Sequence, residues 1–392
     1  MKVKKNKSNK IKILFFGTYD LSKPRVRLLI KGAKAAGFNI IECHKDIWSN
    51  VRDKSQIKGF YKKLFFLFSW MFSYFSLIKQ YFKAPDHDFI LVPYMGQLDV
   101  LIIWPFAKLK RKPIVWDVFI SLYDTIVNDR KLISKRSLLA HIIYFEEWLA
   151  SRAADFLFLD TKSHANYFAD LFKISPKKIG YVFVGAETDK FYPKKVNLNE
   201  SLDKHFTILF YGQFIPLHGI ETIVYSAKLL SNENIKFIII GEGQESVRID
   251  NLIKKMNLKN IKRISWVPYS DLIDYINYAH ICLGIFGNSE KAKRVIPNKV
   301  YQILSCKRPI ITANTLAIKE LIDFLGFSYP LIFLVPPKNP EALAEKILLI
   351  RKQYQKIITD INNLSFSPIN SKTIGDQLTI IAKQLLINKV LK

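Results

Sequence analysis

Cysteine is scarce in this chain of 392 residues, which contains only Cys43, Cys282 and Cys306. The three cysteines show no CxxC pair or other paired spacing, which argues against a disulfide framework and against a cysteine-ligated zinc site. The seven histidines form no HExxH motif or similar metal-binding pair. The sequence therefore predicts a protein of a reducing compartment that uses no metal.

Acidic residues are also in short supply, because 33 Asp and Glu stand against 60 Lys and Arg, for a formal net charge of +27. More than half of this excess lies at the start of the chain. Residues 1–83 hold 19 basic residues and four acidic ones, a local net charge of +15. Such a surplus indicates attraction to an anionic partner: nucleic acid, a lipid surface or a phosphorylated substrate.

The N-terminus lacks the apolar run of a secretion signal, since MKVKKNKSNKIK leads only into ILFFG, and no exported precursor is expected. The segment YKKLFFLFSWMFSYFSLIKQYFK, residues 61–83, is apolar but shorter than the roughly 20 residues of a bilayer span. Its serine spacing predicts a helix with one narrow polar face opposite a broad aromatic one. Flanking lysines favour a helix in the membrane interface, with Phe68, Trp70 and Phe72 as contacts. The alternative is a core helix whose small serines face a neighbouring backbone.

Strand and helix patterns alternate along the chain. IKILFFGTY, RVRLLIKGAKAAG and FNIIEC begin the series, and FTILFYGQF restarts it after the polar stretch VNLNESLDKH. This alternation predicts βαβ units, and hence an α/β fold with two doubly wound, Rossmann-like domains. We place the domains at residues 1–195 and 205–370, with a C-terminal helix over 371–392 that packs back on the first domain. Ligands of such sheets bind beyond the carboxyl ends of the strands, so the cleft between the domains is the expected site.

Two glycine loops follow predicted strands and precede helices. The first contains Gly17, Thr18 and Tyr19, and the second contains Gly212, Gln213, His218 and Gly219. In each loop glycine lets the backbone approach a phosphate or sugar, and the next helix points its N-terminal amides there. Neither loop has the GxGxxG spacing, and a turn that uses glycine for geometry alone is the alternative.

The stretch RVIPNKVYQILSC, residues 294–306, places a lysine at the start of a predicted helix. Pro297 precedes the first turn, Asn298 can cap it, and Lys299 stands at the positive end of the helix dipole. A lysine is unfavourable there unless an anion shares the site, and a nucleotide diphosphate would supply that anion. Three more cations lie just upstream and could converge on the same phosphates: Lys291, Lys293 and Arg294. A solvated basic loop is the alternative.

Three stretches, in this order and at this spacing, resemble the C-terminal half of GT-B glycosyltransferases of the family 4 type, the glycosyl transferases group 1. They are YGQFIPLHGIETIVYSAKLL, IIIGEG and KAKRVIPNKVYQILSCKRPIIT. KILFFGTYDLSKPRVRLLIKGAKAAGFNIIEC is similar to the N-terminal acceptor half of bacterial members that build surface polysaccharides. The resemblance thus extends over nearly the whole chain, and it assigns the first glycine loop to the acceptor half and the second to the nucleotide-sugar half.

The resemblance implies a retaining transfer from a nucleotide sugar, without a metal, in the interdomain cleft. In that family the second glycine loop usually supplies an arginine and a lysine to the diphosphate, whereas the matching positions here are Gln213 and His218. Two glutamates eight residues apart usually hold the donor sugar and the ribose, and the matching positions here are Arg294 and Gln302. Gln302 can still bond a ribose hydroxyl, but Arg294 has no acceptor atom. These departures leave Lys299 and its upstream neighbours to bind the phosphates.

The acceptor half contains VWDVFISLYDTIVNDR after its fourth predicted strand. Asp117 closes that strand, where enzymes of this kind often place a polar residue beside the reacting sugar, and Asp124 and Asp129 follow on the loop. Each is a candidate to orient or deprotonate the acceptor hydroxyl, with Asp117 preferred, although the leaving phosphate can itself act as the base. The alternative is that all three cap helices or pair with Arg130.

The leading functional hypothesis is a peripheral glycosyltransferase at the cytoplasmic face of the membrane that extends a lipid-linked glycan. It would use a nucleotide-diphosphate sugar as donor substrate and no cofactor. A nucleic-acid-binding protein would also use the positive charge, but no small basic and aromatic binding module is readable. Another GT-B enzyme, such as a sugar-nucleotide epimerase, or an inactive homologue is the remaining alternative, because the expected glutamates are missing.

Overall fold

The computed structural model describes the backbone of residues 10–47, 60–195 and 205–390, and the side chains of these ranges except 60–69 and 388–390. The first sheet has the strand order β2-β1-β3-β4-β5-β6. Its strands are β1 Lys12–Gly17, β2 Asn39–His44, β3 Phe89–Val92, β4 Ile114–Phe119, β5 Phe156–Leu159 and β6 Ile179–Tyr181. All pairings are parallel, so helices cover both faces and the runs FILV and FLFL are fully buried.

The helices of the first sheet are α1 Pro24–Ala35, α2 Phe60–Lys83, α3 Gln97–Leu109, α4 Leu138–Ala153 and α5 Lys162–Phe172. A π-helical turn, Asp124–Asp129, follows β4. Helix α1 packs on one face of the sheet, and α2, α3 and α4 contribute to the hydrophobic core on the other face. We call this sheet with its helices the first domain.

The second sheet has the strand order β12-β11-β10-β7-β8-β9, again with parallel pairing throughout. Its strands are β7 Phe206–Tyr211, β8 Ile235–Ile240, β9 Ile261–Ile264, β10 Ile281–Leu283, β11 Ile310–Ala313 and β12 Ile332–Val335. Its helices are α6 Ile220–Leu229, α7 Ser246–Lys255, α8 Leu272–Tyr278, α9 Asn298–Ser305, α10 Leu316–Leu325, α11 Pro340–Lys352 and α12 Tyr354–Asn363. This is the second domain, and the two sheets confirm the predicted α/β architecture.

The last helix, α13 Ser371–Val390, leaves the second domain and packs against α1. Glycines permit the close approach, since a Cβ atom on Gly375 would lie 2.4 Å from the carbonyl oxygen of Gly32. The sequence predicts a C-terminal helix that packs on the first domain, and α13 lies against α1 of that domain. The domain bounds 1–195 and 205–370 stay predictions, because residues 196–204 lie outside the described ranges.

Helix α2 contains the segment predicted to lie in the membrane interface, and the structure corrects part of that prediction. Trp70 is not a free membrane contact, because its Nε1 donates to Thr18 Oγ1 at 3.2 Å and its ring packs on the core. Ser73, assigned to the polar face, is buried. The alternative of a core helix therefore holds for this face of α2.

The opposite face of α2 is exposed. Phe72 is 68% exposed and Phe75 is 73% exposed, whereas the side chain of Phe68 lies outside the described residues. No helix in the described ranges combines the length and the apolar character that a bilayer span requires.

Candidate active site

A cleft of about 430 Å³ lies between the two domains, at the carboxyl ends of strands from both sheets. Parallel strands end at the same edge of a sheet, so the loops after β4 and β5 face the loops after β7, β9 and β10. The first domain lines the cleft with Phe119, Ile120, Thr125, Asp129, Arg130 and Asp160, among others. The second domain lines it with Tyr211, Gly212, Gln213, His218, Tyr269, Lys291, Asn298, Lys299 and Gln302, among others.

Gly212 begins the loop after β7, with a φ angle of +148° that L side chains rarely adopt. A Cβ atom at this position would lie 3.0 Å from the His218 ring and 3.3 Å from Lys299 Nζ. The missing side chain therefore leaves room for these two nitrogen-bearing groups. His218 bonds the carbonyl oxygen of Gln213 through Nδ1, and burial together with the nearby Lys299 lowers its pKa well below the usual value. This environment favours the neutral form of His218.

Gly219 serves a different purpose from Gly212. It is the residue before α6, with φ +60°, and a Cβ atom there would lie 2.5 Å from the backbone nitrogen of Gly287. This glycine allows two loops of the second domain to touch. It is absent from the described lining of the cleft.

Lys299 is the second residue of α9, and it is 4% exposed. Pro297 occupies the cap position and Asn298 is already the first helical residue, so the predicted capping by Asn298 is wrong. Lys299 Nζ donates to the carbonyl oxygen of Gly284 at 3.1 Å and lies 3.7 Å from the centre of the Phe210 ring. Burial lowers its pKa well below the ordinary lysine value. The lysine expected at the mouth of this helix is therefore present, buried and aimed into the cleft.

Two further cations line the cleft beside Lys299. Lys291 is buried and donates to Thr125 Oγ1 of the first domain, and burial lowers its pKa. Arg130 follows the π-helical turn and donates to Gln213 Oε1 across the cleft at 3.3 Å. Within the described ranges, none of the three cations lies within ion-pair distance of a carboxylate.

The other two predicted cations point elsewhere. Lys293 is half-exposed and pairs with Glu290 at 2.6 Å. Arg294 pairs with Asp124 of the first domain at 3.4 Å, and its guanidinium lies 3.4 Å from the centre of the Tyr167 ring. Arg294 thus joins the two domains, and the expectation that it meets the phosphates is not supported by its position.

Gln302 reaches the cleft wall within a chain of hydrogen bonds. Its Oε1 accepts from Tyr211 at 2.9 Å, and its Nε2 donates to the Tyr269 hydroxyl at 3.0 Å. Tyr269 in turn donates to Glu187 at 3.1 Å. Although burial opposes it, hydrogen bonds from Arg27 and Lys190 lower the pKa of Glu187 to about 2. Gln302 is therefore held in one orientation by two tyrosines.

The preferred catalytic residue, Asp117, does not line the cleft. Arg25 on α1 donates to both of its carboxylate oxygens, at 2.9 and 3.0 Å, and both residues are fully buried. Asp124 accepts from Tyr167 at 3.0 Å in addition to its pairing with Arg294. The catalytic roles predicted for Asp117 and Asp124 stay predictions, and the geometry does not favour them.

Asp129 is the carboxylate of that loop that does reach the cleft. Its Oδ1 accepts from Ser289 of the second domain at 3.0 Å, and its buried Oδ2 has no hydrogen-bond partner among the described residues. Burial raises its pKa, against the influence of Lys291. Asp160, at the end of β5, also lines the cleft and contacts His164 at 2.6 Å.

Glu147 holds the loop that leads from β4 into the π-helical turn. This fully buried residue of α4 accepts from Ser121 Oγ at 2.6 Å and from the backbone nitrogens of Leu122 and Tyr123 at 2.6 and 3.1 Å. The turn then presents Thr125, Asp129 and Arg130 to the cleft. A buried carboxylate with several donors is a stable anchor for such a loop.

The first glycine loop packs inside the first domain. A Cβ atom on Gly17 would lie 2.3 Å from Asp99 Oδ2, and the Thr18 backbone nitrogen donates to that oxygen at 3.0 Å. Burial raises the pKa of Asp99 to about 6. Tyr19 stacks on His44 at 4.0 Å between ring centres. None of the three loop residues belongs to the described cleft lining, so their contact with an acceptor stays a prediction.

The family comparison concerns the second domain. The model of the family described as Glycosyl transferases group 1 matches residues 190–359, which include the whole second sheet. The second domain is therefore similar to the glycosyl transferases group 1 family. The resemblance deduced from its glycine loop and its basic helix start is thereby confirmed.

Relatives of this chain include an uncharacterized glycosyltransferase of Methanocaldococcus jannaschii, which is 25% identical over 175 residues. That match covers 44% of this chain and 46% of the relative, so it spans less than half the length of the relative.

Solved structures match over both domains. Sucrose-phosphate synthase of Thermosynechococcus elongatus has a TM-score of 0.67 at 16% identity, over 97% of this chain and 100% of that one. HepE of Anabaena in complex with UDP has a TM-score of 0.61 at 13% identity, over 98% and 100% of the two chains. The fold is therefore GT-B, as predicted.

No cluster of three or more His, Cys, Asp or Glu side chains suited to a metal ion occurs among the described residues.

Proposed function

We propose that the chain is a retaining glycosyltransferase that moves a hexose from a nucleoside diphosphate sugar to a glycan or lipid-linked acceptor. The observation that carries the proposal is the set of three cations in the cleft, each of which donates to a neutral oxygen: Lys299 to Gly284, Lys291 to Thr125 and Arg130 to Gln213. Lys299 and Lys291 are buried, and the carboxylates that influence Lys291, such as Asp124 and Asp129, lie beyond ion-pair distance of it. Buried cations that lack a paired anion are costly, and a diphosphate between these groups would supply negative charge at close range.

The comparisons support a nucleotide sugar as the donor. The group 1 family match covers the domain that holds Gly212 and Lys299, and HepE, a structural neighbour, was solved with UDP-glucose. The cations of this chain come from both domains, whereas the family positions Gln213 and His218 are neutral. Lys291 and Arg130 therefore take over, in our proposal, the work of the usual arginine and lysine.

The proposed transfer forms a bond between the acceptor hydroxyl oxygen and the anomeric carbon of the donor sugar. The bond from that carbon to the phosphate oxygen breaks, and the nucleoside diphosphate leaves with the bonding electron pair. The three cations stabilise the charge that grows on the leaving group. The hydroxyl proton passes to the leaving phosphate or to Asp129, whose raised pKa suits a general base better than an ordinary aspartate. Attack and departure on one face of the sugar give retention.

The acceptor and the cellular setting belong to the same proposal. A lipid-linked acceptor on the cytoplasmic face of the cell membrane, as in cell-surface polysaccharide synthesis, accounts for the basic first 83 residues and for the exposed apolar side chains of α2. No separate cofactor and no metal are required, since helix starts and cations meet the diphosphate.

One observation favours a different outcome. Arg294 and Gln302 stand where the family usually has glutamates, and they are engaged with Asp124 and with two tyrosines. The family glutamates serve glycosyl transfer. An inactive homologue, or a sugar-nucleotide epimerase of the same fold, performs no such transfer and would not need them.

We expect a panel of nucleoside diphosphate sugars to contain a donor that raises the thermal midpoint of the purified protein by a few degrees, through binding to the folded state. The same donor is expected to be hydrolysed slowly to nucleoside diphosphate and free sugar, at a rate that excess EDTA leaves unchanged. Binding without hydrolysis would indicate the inactive homologue, and an isomeric nucleotide sugar would indicate the epimerase. No stabilisation by any diphosphate would refute the proposal, and a rate abolished by EDTA and restored by Mn²⁺ would refute its metal independence.

A further inference from the structure

Helix α4 exposes a continuous apolar stripe that the proposed reaction does not use. Its members recur at helical spacing on one side of the helix and are 39% to 78% exposed: Leu138, Leu139, Ile142, Phe145 and Leu149. The opposite side of α4 is buried in the core of the first domain and carries Glu147, which holds the cleft loop. A helix with apolar residues on both faces needs a second partner for the outer one.

The stripe on α4 continues across α3 to α2. Helix α3 contacts α4 on one side and meets α2 on the other, where Phe106 touches Phe82 at 5.5 Å between ring centres. The exposed apolar side chains of α3 and α2 are Trp104, Leu109, Met71, Phe72, Phe75 and Phe82. We call the exposed apolar residues of α2, α3 and α4 the three-helix face.

Exposed basic residues outnumber acidic ones around the three-helix face. The sequence of α2 has no acidic residue, the single acidic residue of α3, Asp99, is buried, and of the two in α4 Glu147 is buried and Glu146 only partly exposed. Exposed basic residues border the face on the three helices and in the loop before α4. Those on the helices are Lys79, Lys83, Lys108 and Arg152, and those in the loop are Lys135 and Arg136.

Aromatic and basic groups are stacked along α4 itself. The Phe145 and Trp148 rings are parallel within 14° and 5.6 Å apart, and the Arg152 guanidinium lies 3.8 Å from the centre of the Trp148 ring. Amphipathic rings beside cationic heads suit the headgroup region of a bilayer, where one end meets hydrocarbon and the other meets water and phosphate.

We propose that the three-helix face docks on an anionic lipid bilayer, and that α4 is a second membrane-inserting helix alongside α2. Apolar side chains enter the acyl boundary while the bordering lysines and arginines meet the lipid phosphates. The inference rests on the proposed function only in the purpose that it gives to docking, which is to bring the cleft to a lipid-linked acceptor. Lipid binding itself requires no donor and no turnover.

Co-sedimentation with vesicles tests the proposal. The parent protein is expected to bind phosphatidylcholine vesicles that contain phosphatidylglycerol, to bind pure phosphatidylcholine weakly, and to lose affinity as salt rises. The double variant Ile142→Ser, Phe145→Ser is expected to bind the anionic vesicles roughly tenfold more weakly or worse, because two large apolar side chains are lost from the interface. A matched control, Leu229→Ser with Val247→Ser, removes two exposed apolar side chains from the second domain and is expected to bind as the parent does.

Donor-induced thermal stabilisation, measured on the same samples, separates lipid binding from the proposed enzyme function. If the α4 double variant fails to fold, Lys135→Glu with Arg136→Glu replaces it and is expected to lose the salt-sensitive part of the binding. Three results would overturn the inference: a folded α4 variant that binds like the parent, a parent that never binds anionic vesicles at low salt, or a parent dimer that the α4 substitutions convert to a monomer. The last would show that a second copy covers this face.

Discussion

Lys299→Met is expected to weaken the binding of nucleoside diphosphates by roughly 10- to 150-fold, since a hydrogen bond to a charged group is worth about 1.5 to 3 kcal/mol. Methionine keeps most of the apolar length of the lysine side chain, and it removes the ammonium that lies over the Phe210 ring and donates to Gly284. The affinity for the nucleoside alone is expected to stay the same, because Lys299 is proposed to bind the phosphates and not the nucleoside. Isothermal titration calorimetry with both ligands measures the difference.

The control for this prediction is Lys293→Met, which removes a nearby lysine that pairs with Glu290 outside the described cleft lining. It is expected to leave diphosphate affinity unchanged. Equal losses for nucleoside and diphosphate in the Lys299 variant would remove this lysine from the phosphate site.

The pH dependence of diphosphate binding follows from the same lysine. Burial holds the pKa of Lys299 well below its ordinary value in the unliganded protein, and bound phosphate would raise it again. At a pH above the pKa of the unliganded state, binding therefore takes up a proton, and affinity falls as pH rises. Calorimetry of the parent and the Lys299→Met variant in buffers of different ionisation enthalpy reports that proton, which the variant is expected not to take up.

Asp117→Asn is expected to destabilise the first domain by about 3 to 5 kcal/mol, the usual cost of breaking a buried ion pair from one side. Arg25 would remain buried with its charge, bonded to the carbonyl oxygens of Val182 and Phe183 at 2.7 and 3.0 Å and facing a neutral amide with one acceptor instead of a carboxylate. Chemical denaturation followed by circular dichroism measures the loss. At denaturant concentrations below the unfolding transition of the variant, the folded protein is expected to keep the turnover number of the parent.

The comparison with Asp129→Asn distinguishes a structural aspartate from a catalytic one. Asp129 has a free carboxylate oxygen at the cleft, so its substitution is expected to lower turnover with little change in stability. A stable Asp117→Asn protein with no activity would restore Asp117 to the catalytic role that the sequence suggested.

Features encoded by short stretches of sequence could be predicted well. The strand-ending Gly212 and the helix-starting Lys299 both reach the cleft, because β7 and α9 are strong local patterns and parallel strands end at one edge of a sheet. The two Rossmann-like domains followed from the order of such patterns, and the GT-B prediction came from the family resemblance.

Features that depend on contacts distant in sequence could not be predicted. The sequence favours Asp117 as a catalytic residue, but its partner Arg25 is 92 residues away, and neither segment indicates the pair. The aromatic pattern predicts that Trp70 contacts the membrane, yet Thr18, 52 residues earlier, accepts its hydrogen bond in the first domain. The position of Arg130 opposite Gln213 depends on a π-helical turn that has no sequence signal.

The most direct test of the central claim is a crystal structure of the protein with a bound nucleoside diphosphate. Our account predicts that the two phosphates lie in the cleft, within hydrogen-bond distance of Lys299 Nζ and of the backbone nitrogen of Gln213, with Lys291 or Arg130 on the other side. A diphosphate bound elsewhere, or a cleft in which Lys299 still donates only to the Gly284 carbonyl, would contradict the account.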